Sequence, residues 1–256
     1  GQVLPAAEKA LIQKILDNPK VLHWYAKNFD GSFLHPKLSG IPLGPNYHTM
    51  DPHLLNPTPG TFGNAAPSWG GGKSAQDQDQ ELYDLARALP KANQRIPKIY
   101  YDAHHTNSDE RWKNKETVLW QYYDKLDKPV KFLTRAQIKD NFKGSSFFYI
   151  AEKKSRSAQW KDRGRYAFAI SPIGKGLDCH RTWESLILGQ IVIVQTSPID
   201  YLYKGLPVVI VDNWDEVTEA NLDKWLALYG EGSVDSKYLD KLNFQYWHEI
   251  LQAYKT

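Results

Sequence analysis

Tyr166-Ala-Phe-Ala-Ile170 is followed by Ser171-Pro-Ile-Gly-Lys-Gly176 and by Leu177-Asp-Cys-His-Arg-Thr-Trp-Glu184-Ser-Leu-Ile-Leu-Gly189, and this stretch decides the fold. Two apolar runs come after it, Ile191–Val194 and Pro207–Val211. A short apolar run, a glycine turn, a helical segment and a second apolar run together indicate a βαβ unit. The two later runs are almost wholly apolar, which predicts central strands of a parallel sheet that is covered on both faces.

The helical part of this stretch has its own start and stop signals. Asp178 is placed to act as the N-cap, where its side chain would accept a backbone N–H of the first turn. Trp183, Leu186 and Ile187 recur at i, i+3 and i+4, so they share one apolar face. Gly189 follows the last apolar residue of the segment, as expected for a glycine that ends a helix.

The polar residues of this unit predict an anion site. A glycine loop that opens a helix presents backbone N–H groups and the positive end of the helix dipole to a ligand. Arg181 lies in the first turn, where a cation opposes the dipole unless a bound phosphate offsets its charge. Glu184 lies one turn further on, where a carboxylate can accept hydrogen bonds from both hydroxyls of a ribose. The alternative is an ordinary Arg–Glu pair at i, i+3 on the helix surface.

The run Ser171-Pro-x-Gly-x-Gly-x-Asp-x-His180-Arg181-x-Trp-Glu184 resembles the C-terminal signature of exostosin-like glycosyltransferases, and so does Leu206-Pro-Val-Val-Ile-Val211 with Asp212 and Trp214. The likeness is weak before Lys98. It implies an α/β protein of the GT-B type, in which two Rossmann-like domains face a cleft. Residues 1–95 would form a small or reduced acceptor-side domain. Residues 96–256 would form the domain that binds a nucleotide sugar, with a last helix long enough to cross back.

The resemblance also implies a reaction. A sugar would move from a nucleotide diphosphate, such as UDP-xylose, to a hydroxyl of an oligosaccharide or glycoprotein glycan, with inversion at the anomeric carbon. Glu184 would bind the donor ribose, while Arg181 and the Ser171–Gly176 loop would face the diphosphate. We expect neither a metal nor a cofactor, because a helix N-terminus and basic side chains can stabilise the leaving group. The predicted donor-binding residues are Ser171, Gly174, Lys175, Gly176, Asp178, Arg181, Glu184, Arg111 and Asn107.

Asn107 and Arg111 join this set on topological grounds. Pro97–Tyr101 is predicted to be the first strand of the C-terminal domain. The loop after such a strand points into the ligand crevice of an open α/β sheet. Asp109–Lys125 is predicted to follow as a helix. The alternative is that Ser108 caps this helix and that Arg111 is merely solvated.

An inverting transfer needs a base that takes the proton of the acceptor hydroxyl. The resemblance implies that this base comes from the N-terminal half of the chain. The candidates are His48, Asp51, Asp79 and Glu81. We predict His48 or Asp51 and prefer Asp51, which lies beside the expected cleft loop. A lone acid in a Pro-rich loop is also a common turn residue, and that alternative stays open for Asp51.

Two other functions stay open at this point. The first is a non-catalytic carbohydrate-binding protein on a transferase-like fold, since a fold alone does not establish chemistry. The second is a metal-dependent transferase of the GT-A type, in which Asp77-Gln-Asp79 would hold a divalent ion. That motif begins a polar helix here, and acids in a first turn also suit the helix dipole. A nicotinamide cofactor is not expected, because Cys179 stands where a dinucleotide fingerprint has its third glycine.

The composition narrows the possible partners and location. The chain has 256 residues, a formal net charge of +3 and no basic block, so we expect no nucleic-acid partner. No apolar run approaches the ~20 residues that span a bilayer, and no signal-peptide pattern is present. Cys179 is the single cysteine, which fits a soluble, cytoplasmic protein. Golgi anchors are common in the resembling family, so this chain would depart from it unless an anchor has been trimmed away.

Four further segments complete the expected structure. Val130–Leu133 is predicted to be a short strand and Arg135–Phe142 a helix. Lys153–Trp160 is a basic stretch, which predicts either a solvated face or a set of cations that neutralise the donor phosphates. Ser236–Tyr254 is predicted to be the last helix.

Overall fold

The computed structural model describes residues 4–47, 73–104, 110–232 and 240–253. The described residues form two parallel sheets. The first is a pair of strands, β1 (Trp24–Lys27) and β2 (Leu38–Ile41). The second has five strands, which are β3 (Ile96–Tyr101), β4 (Phe148–Ile150), β5 (Tyr166–Ile170), β6 (Ile191–Gln195) and β7 (Val208–Val211).

α-Helices lie between successive strands from β3 to β6, whereas residues 28–37 join β1 to β2 without a helix. The α-helices of the described residues are α1 (Ala6–Leu16), α2 (Ala75–Ala88), α3 (Val118–Tyr123), α4 (Arg135–Phe142), α5 (Arg156–Arg163), α6 (His180–Ile187), α7 (Glu219–Tyr229) and α8 (Phe244–Gln252). Short 3₁₀ turns lie at Ala92–Gln94, Glu110–Lys113, Asp200–Tyr203, Trp214–Glu216 and Asp240–Leu242. The predicted helix over Arg135–Phe142 is confirmed with the same bounds.

The five-stranded sheet has the order β4-β3-β5-β6-β7, and all its strand pairs are parallel. The chain goes from β3 outward to β4, then returns past β3 and continues through β5 to β7. The order therefore reverses between β3 and β5. The α/β class and the parallel sheet are confirmed, and they agree with a Rossmann-like arrangement.

The burial of both faces of β6 explains why Ile191–Val194 is an unbroken apolar run. Ile191 and Ile193 belong to a core cluster that also contains Ile138 of α4 and Leu222 of α7. Their neighbours on the strand point to the opposite face, because side chains alternate along a strand. That face is covered by α3 and α6. The neighbours belong to the second cluster, which includes Val118, Leu119, Trp183, Leu186, Val192 and Val194. Both faces of β6 are thus covered, as predicted for a central parallel strand.

The prediction of a second central strand was wrong. The run Pro207–Val211 forms β7, which lies at one edge of the sheet. Ile210 is 42% exposed there, although its neighbours Val209 and Val211 are buried. An edge strand needs only part of its surface covered, so an apolar run alone does not tell the centre of a sheet from its edge.

The prediction of Asp178 as the N-cap of α6 was also wrong. The helix begins at His180, and the residue before it, Cys179, makes no side-chain cap hydrogen bond. The Asp178 carboxylate instead accepts the Trp183 indole N–H at 2.8 Å and the backbone N–H of Leu43 at 2.7 Å. The side chain is therefore engaged by an indole within α6 and by a backbone N–H from the N-terminal half. The helix end was predicted correctly, since Gly189 has a positive φ of 73° and donates its N–H to the Leu186 carbonyl.

The predicted helix over Asp109–Lys125 is broken. Its described part contains the 3₁₀ turn Glu110–Lys113 and, after an interruption, the short helix α3. The interruption contains Asn114, whose side chain accepts the backbone N–H of Glu116 at 3.0 Å. Such a local side-chain bond competes with helical hydrogen bonds and favours a turn.

The predicted strand over Val130–Leu133 is absent, and these residues form no regular element. The backbone of Lys131 is satisfied by side chains. Its N–H donates to Asn213 Oδ1 at 2.7 Å, and its carbonyl accepts from Gln195 Nε2 at 2.9 Å. Buried Val130 and Leu133 explain the apolar pattern without a strand.

The last predicted helix is shorter than expected. Within its described part, α8 begins after Asn243, whose side chain accepts the Gln245 N–H at 2.9 Å. The preceding turn returns the chain to α2, because the Tyr83 hydroxyl donates to the Leu242 carbonyl. Among the residues that the structure describes, no helix has both the length and the apolar character needed to cross a bilayer.

A capping box at the start of α4 gives a first prediction. The Thr134 hydroxyl accepts the Gln137 N–H, and the Gln137 side chain accepts the Thr134 N–H at 2.9 Å. Thr134→Ala should lower the free energy of unfolding by about 1–2 kcal/mol, measured by urea denaturation. Thr134→Ser is the matched control because it keeps the hydroxyl and loses only the methyl group. Equal losses in both variants would show that the cap contributes nothing.

Candidate functional site

The strand order reverses between β3 and β5, and we call the edge at the carboxyl ends of these two strands the β3–β5 crevice. Ligands of open α/β sheets bind at such a position. The segment that leaves β3 begins with Asp102, Ala103 and His104. The segment that leaves β5 is the Ser171–Cys179 loop, which leads into α6.

Asp102 is the centre of a buried ion network at this edge. Its side chain is 1% exposed and accepts from Arg163 Nη2 at 2.5 Å and from Gln159 Nε2 at 3.0 Å. Arg181 Nε donates to its second oxygen. Burial by itself raises the pKa of Asp102, but the charges and hydrogen bonds of Arg163 and Arg181 outweigh that effect and hold the pKa well below its ordinary value.

Glu184 is the second carboxylate of the network. Its Oε2 accepts from Arg163 Nη1 at 2.9 Å and from the Trp160 indole N–H at 3.2 Å. Its Oε1 accepts the backbone N–H of Asn46 at 3.3 Å. The i, i+3 pairing considered for Arg181 and Glu184 is therefore wrong, because each pairs with another charge. Both side chains are instead connected through Arg163 and Asp102. We call these four residues the Asp102 network.

The glycine loop is closely packed by side chains of this chain. The Gly174 carbonyl accepts from the Trp112 indole at 2.8 Å, and a Cβ at Gly174 would overlap the Arg135 guanidinium. A Cβ at Gly176 would lie 2.7 Å from Asn28 Oδ1. These glycines therefore allow protein side chains to approach the loop closely. Within the loop, Ser171 and Gly174 are buried, Gly176 is half-buried and Lys175 is exposed.

Arg135 is a residue that the sequence analysis missed. It is the first residue of α4, and its guanidinium connects the two loops of the crevice. Nη1 donates to the His104 carbonyl at 3.3 Å, and Nε donates to the Ile173 carbonyl at 3.2 Å. Nothing in its local sequence separates it from other basic residues that begin a helix, because its partners lie on two distant loops.

The basic stretch over Lys153–Trp160 is not simply a solvated face. Arg156 is 2% exposed, and its guanidinium lies 4.7 Å from the centre of the Trp160 ring. It also donates to the Gln78 side chain on α2. Lys154 Nζ pairs with Asp162 at 2.8 Å. The prediction of a solvated face was wrong for Arg156, whereas Lys153 is exposed.

The segment after β2 lies against the start of α6. The Leu43 N–H donates to Asp178, and the His180 Nδ1–H donates to the Gly44 carbonyl at 2.7 Å. The side chain of Asn28 accepts the Asp178 N–H, also at 2.7 Å. Burial raises the pKa of Asp178, and the hydrogen bonds from Leu43 and Trp183 oppose that increase. The N-terminal half therefore contacts α6 through polar groups, and it also does so through apolar side chains, since Leu82 of α2 is buried in a cluster with Ile187.

The structure brings most of the predicted donor residues to one region. Those in the β5–α6 loop and on α6 are Ser171, Gly174, Lys175, Gly176, Asp178, Arg181 and Glu184. Arg111 lies in the 3₁₀ turn whose next residue, Trp112, contacts Gly174. Asn107 and the candidate bases His48 and Asp51 lie outside the described residues.

The other acidic candidates lie on α2 and have partners. Asp79 accepts the Tyr47 hydroxyl at 2.5 Å, and Glu81 pairs with Lys73 at 2.8 Å. Asp77 forms a capping box with Ser74 at the start of the helix. Within residues 4–47, 73–104, 110–232 and 240–253, no three His, Cys, Asp or Glu side chains group as metal ligands.

Comparisons with known proteins add no assignment. The chain matches no protein-family model and has no significant match among curated proteins.

The ion network predicts a large difference between two neighbouring arginines. Arg163→Met leaves the buried carboxylates of Asp102 and Glu184 short of a cation, so it should lower the free energy of unfolding by about 3–5 kcal/mol. Arg165 pairs with Asp162 at 3.3 Å, but its side chain is 64% exposed. Arg165→Met should therefore cost at most about 1 kcal/mol. Urea denaturation of both variants measures the difference, and equal losses would contradict a stabilising role of the network.

The network also predicts acid sensitivity. The pKa of Asp102 is lower in the folded protein than in the unfolded chain, so acid protonates the unfolded state first. The stabilisation from ionised Asp102 is complete above its unfolded pKa, about 3.9, and is lost as pH falls below that value. The difference in unfolding free energy between the wild type and Asp102→Asn should therefore shrink from pH 7 to pH 3. A constant difference, measured by urea denaturation, would contradict the assignment.

Proposed function

We propose that the chain is a glycosyltransferase. It moves a sugar from a nucleotide diphosphate, foremost a UDP-sugar such as UDP-xylose, to a hydroxyl of a glycan, with inversion and without a metal. The observation that carries the proposal is the position of Arg181. This cation lies in the first turn of α6, at the crevice where the strand order reverses, and its Nε donates to Asp102. A fixed cation at a helix N-terminus suits an anionic ligand.

The leaving group sets the main chemical demand. The acceptor oxygen forms a bond to the anomeric carbon while the bond from that carbon to the diphosphate oxygen breaks. Negative charge grows on the diphosphate. Arg181 and the N-terminus of α6 stabilise this charge, and exposed Lys175 adds a second cation from the loop. Charge stabilisation by groups that are already in place requires little reorganisation during the reaction.

Glu184 is suited to hold the ribose of the donor. Its Oε2 is fixed by Arg163 and Trp160, so the orientation of the carboxylate does not depend on a ligand. From the described residues, its Oε1 accepts a long hydrogen bond, 3.3 Å, from the Asn46 N–H. A ribose hydroxyl is a good replacement for that donor. This role requires the segment around Asn46 to shift when the donor binds.

The base that receives the acceptor proton remains a prediction from the sequence, with Asp51 and His48 as the candidates. The described alternatives are engaged elsewhere. Asp79 accepts from Tyr47 and Glu81 pairs with Lys73, so each already has a structural partner.

A panel of nucleotide sugars tests the proposal. We expect UDP-sugars or GDP-sugars to raise the melting temperature, and the stabilising donor to be transferred to a glycan acceptor in the presence of EDTA. Loss of activity with EDTA would favour the metal-dependent alternative that uses Asp77 and Asp79. Binding of glycans without binding of any nucleotide would favour the carbohydrate-binding alternative and contradict the enzyme.

The role of Glu184 has a sharper test. Glu184→Ala would leave Arg163 beside a cavity, so the variant to use is Glu184→Gln, which keeps the volume and still accepts from Trp160. The wild type should bind UDP roughly tenfold more tightly than 2′-deoxy-UDP, because one charged hydrogen bond is lost. Glu184→Gln should lose most of this discrimination in calorimetric titrations. A variant that is less stable but discriminates as well as the wild type would show a structural role only.

A further inference from the structure

The chain that follows β2 contacts Glu184 through its backbone. Residues 43–47 form no helix or strand, and all five are half-buried. The Asn46 N–H donates to Glu184 Oε1 at 3.3 Å, and the side chain of Glu184 is 10% exposed. We call residues 45–47 the Asn46 strap. The strap is thus part of what covers this carboxylate.

The two oxygens of Glu184 are held by different kinds of structure. Oε2 accepts from Arg163 at 2.9 Å and from the Trp160 indole at 3.2 Å, and both donors are buried side chains of α5. Separating Arg163 from Oε2 would leave buried charges unpaired, which is costly. Oε1 instead meets an irregular, half-buried segment. A ligand that binds Oε1 therefore displaces the strap more readily than it displaces α5.

The residues just before the strap are fixed to the start of α6. The Leu43 N–H donates to Asp178 at 2.7 Å, and the Leu43 side chain packs against the cluster that contains Trp183. The Gly44 carbonyl accepts from His180 at 2.7 Å. Gly44 has a φ of 70°, which suits a glycine, and a Cβ there would meet no described atom within 4 Å. The fixed part therefore ends at Gly44, where the backbone has room to turn.

The far end of the strap is held on α2. The Tyr47 hydroxyl donates to the Asp79 carboxylate at 2.5 Å, and the Tyr47 ring packs against the cluster that contains Leu82. We call this hydrogen bond the latch. It is shorter than the 3.3 Å bond between Asn46 and Glu184, so it is the better hydrogen bond of the two.

The latch is strong enough to hold the strap and weak enough to be released. Tyr47 and Asp79 are both half-buried, so water can reach the two groups once the strap lifts. Water then replaces the lost bond, which leaves the latch with the modest net strength of a hydrogen bond to a charged group. A hydrogen bond from a ligand to the Glu184 carboxylate is of the same kind and can offset it.

We propose that the Asn46 strap is autoinhibitory: it closes Glu184 Oε1 in the free protein, lifts when a ribose hydroxyl binds there, and is held shut by the latch. This inference rests on the proposed function, since the ligand that the strap excludes is the ribose of the donor. When the form that can bind is a minor population, the affinity falls by the fraction of that form. Weakening the latch therefore strengthens binding, whereas loss of a ligand contact would weaken it.

Tyr47→Phe removes the latch and keeps the ring that packs against the Leu82 cluster. The variant should bind UDP roughly five- to tenfold more tightly than the wild type in calorimetric titrations, because only the closed form loses a hydrogen bond to a charged group. Tyr83→Phe is the matched control. Tyr83 is also half-buried, and its hydroxyl donates to the Leu242 carbonyl. Its loss should leave the UDP affinity unchanged.

A double-variant cycle identifies the contact. Asp79→Ala removes the acceptor and should tighten UDP binding by a similar factor. The double variant Tyr47→Phe with Asp79→Ala should gain no more than either single variant, because both changes remove the same bond. Weaker UDP binding by Asp79→Ala would assign Asp79 to a ligand or a metal, and it would overturn the latch.

Hydrogen exchange measures the strap without a ligand. The Asn46 amide donates to Glu184 in the closed form, so it exchanges when the strap lifts. It should exchange roughly fivefold faster in Tyr47→Phe than in the wild type, and at the rate of the wild type in Tyr83→Phe.

The outcomes separate this inference from the function. If the wild type, Tyr47→Phe and Tyr83→Phe bind UDP or GDP with equal affinity, the strap does not exclude the donor; the inference is then wrong and the transferase stands. If none of them binds a nucleotide, the nucleotide-sugar function fails. Exchange then decides the latch by itself: faster exchange of the Asn46 amide in Tyr47→Phe supports it, and equal exchange in all three proteins overturns it.

Discussion

The salt bridges from Arg163 to Asp102 and Glu184 are the interaction on which the site depends. Taking charges out of water is costly, and a buried ion pair stabilises only when its geometry and hydrogen bonds are good. Here each carboxylate receives more than one donor: Asp102 from Arg163, Arg181 and Gln159, and Glu184 from Arg163 and Trp160. Because Asp102 follows β3, Arg163 ends α5 and Glu184 lies on α6, the network fixes three segments at one edge of the sheet.

The same helix also holds the N-terminal half of the chain. Asp178 accepts the Leu43 N–H, His180 donates to the Gly44 carbonyl, and Glu184 accepts the Asn46 N–H. These contacts are polar and involve backbone groups, which make few demands on the side chains of the partner segment. Apolar packing adds to them, since Leu43 packs against the cluster that contains Trp183, and Leu82 of α2 is buried in a cluster with Ile187 of α6. Hydrogen bonds and buried apolar surface therefore hold the N-terminal half together.

Local sequence patterns correctly predicted those parts of the fold that depend on interactions between residues close together in the sequence. Short apolar runs predicted β5 and β6 correctly, because both faces of these strands are buried, and a positive φ at Gly189 required a glycine at the end of α6. The network was not readable, because Asp102 and Arg163 are 61 positions apart. Asp178 was misjudged for the same reason: its sequence neighbours suggest a cap, but Leu43, which it binds, is 135 positions away. The prediction of a central position was wrong for β7, because an apolar run can also form an edge strand.

The glycines before α6 show how one sequence feature serves two physical purposes. A glycine lets a backbone approach a ligand, and it equally lets another side chain approach the backbone. At Gly174 and Gly176 the close neighbours are the side chains of Arg135 and Asn28. In this protein the two glycines therefore allow side chains to approach the backbone. The consequence for electrostatics is specific. Gly174 admits the Arg135 guanidinium, and that guanidinium extends from the loop to the His104 carbonyl. The glycine motif thereby contributes to the charge of this edge indirectly, because it lets a cation from α4 lie between the loop and the segment that leaves β3.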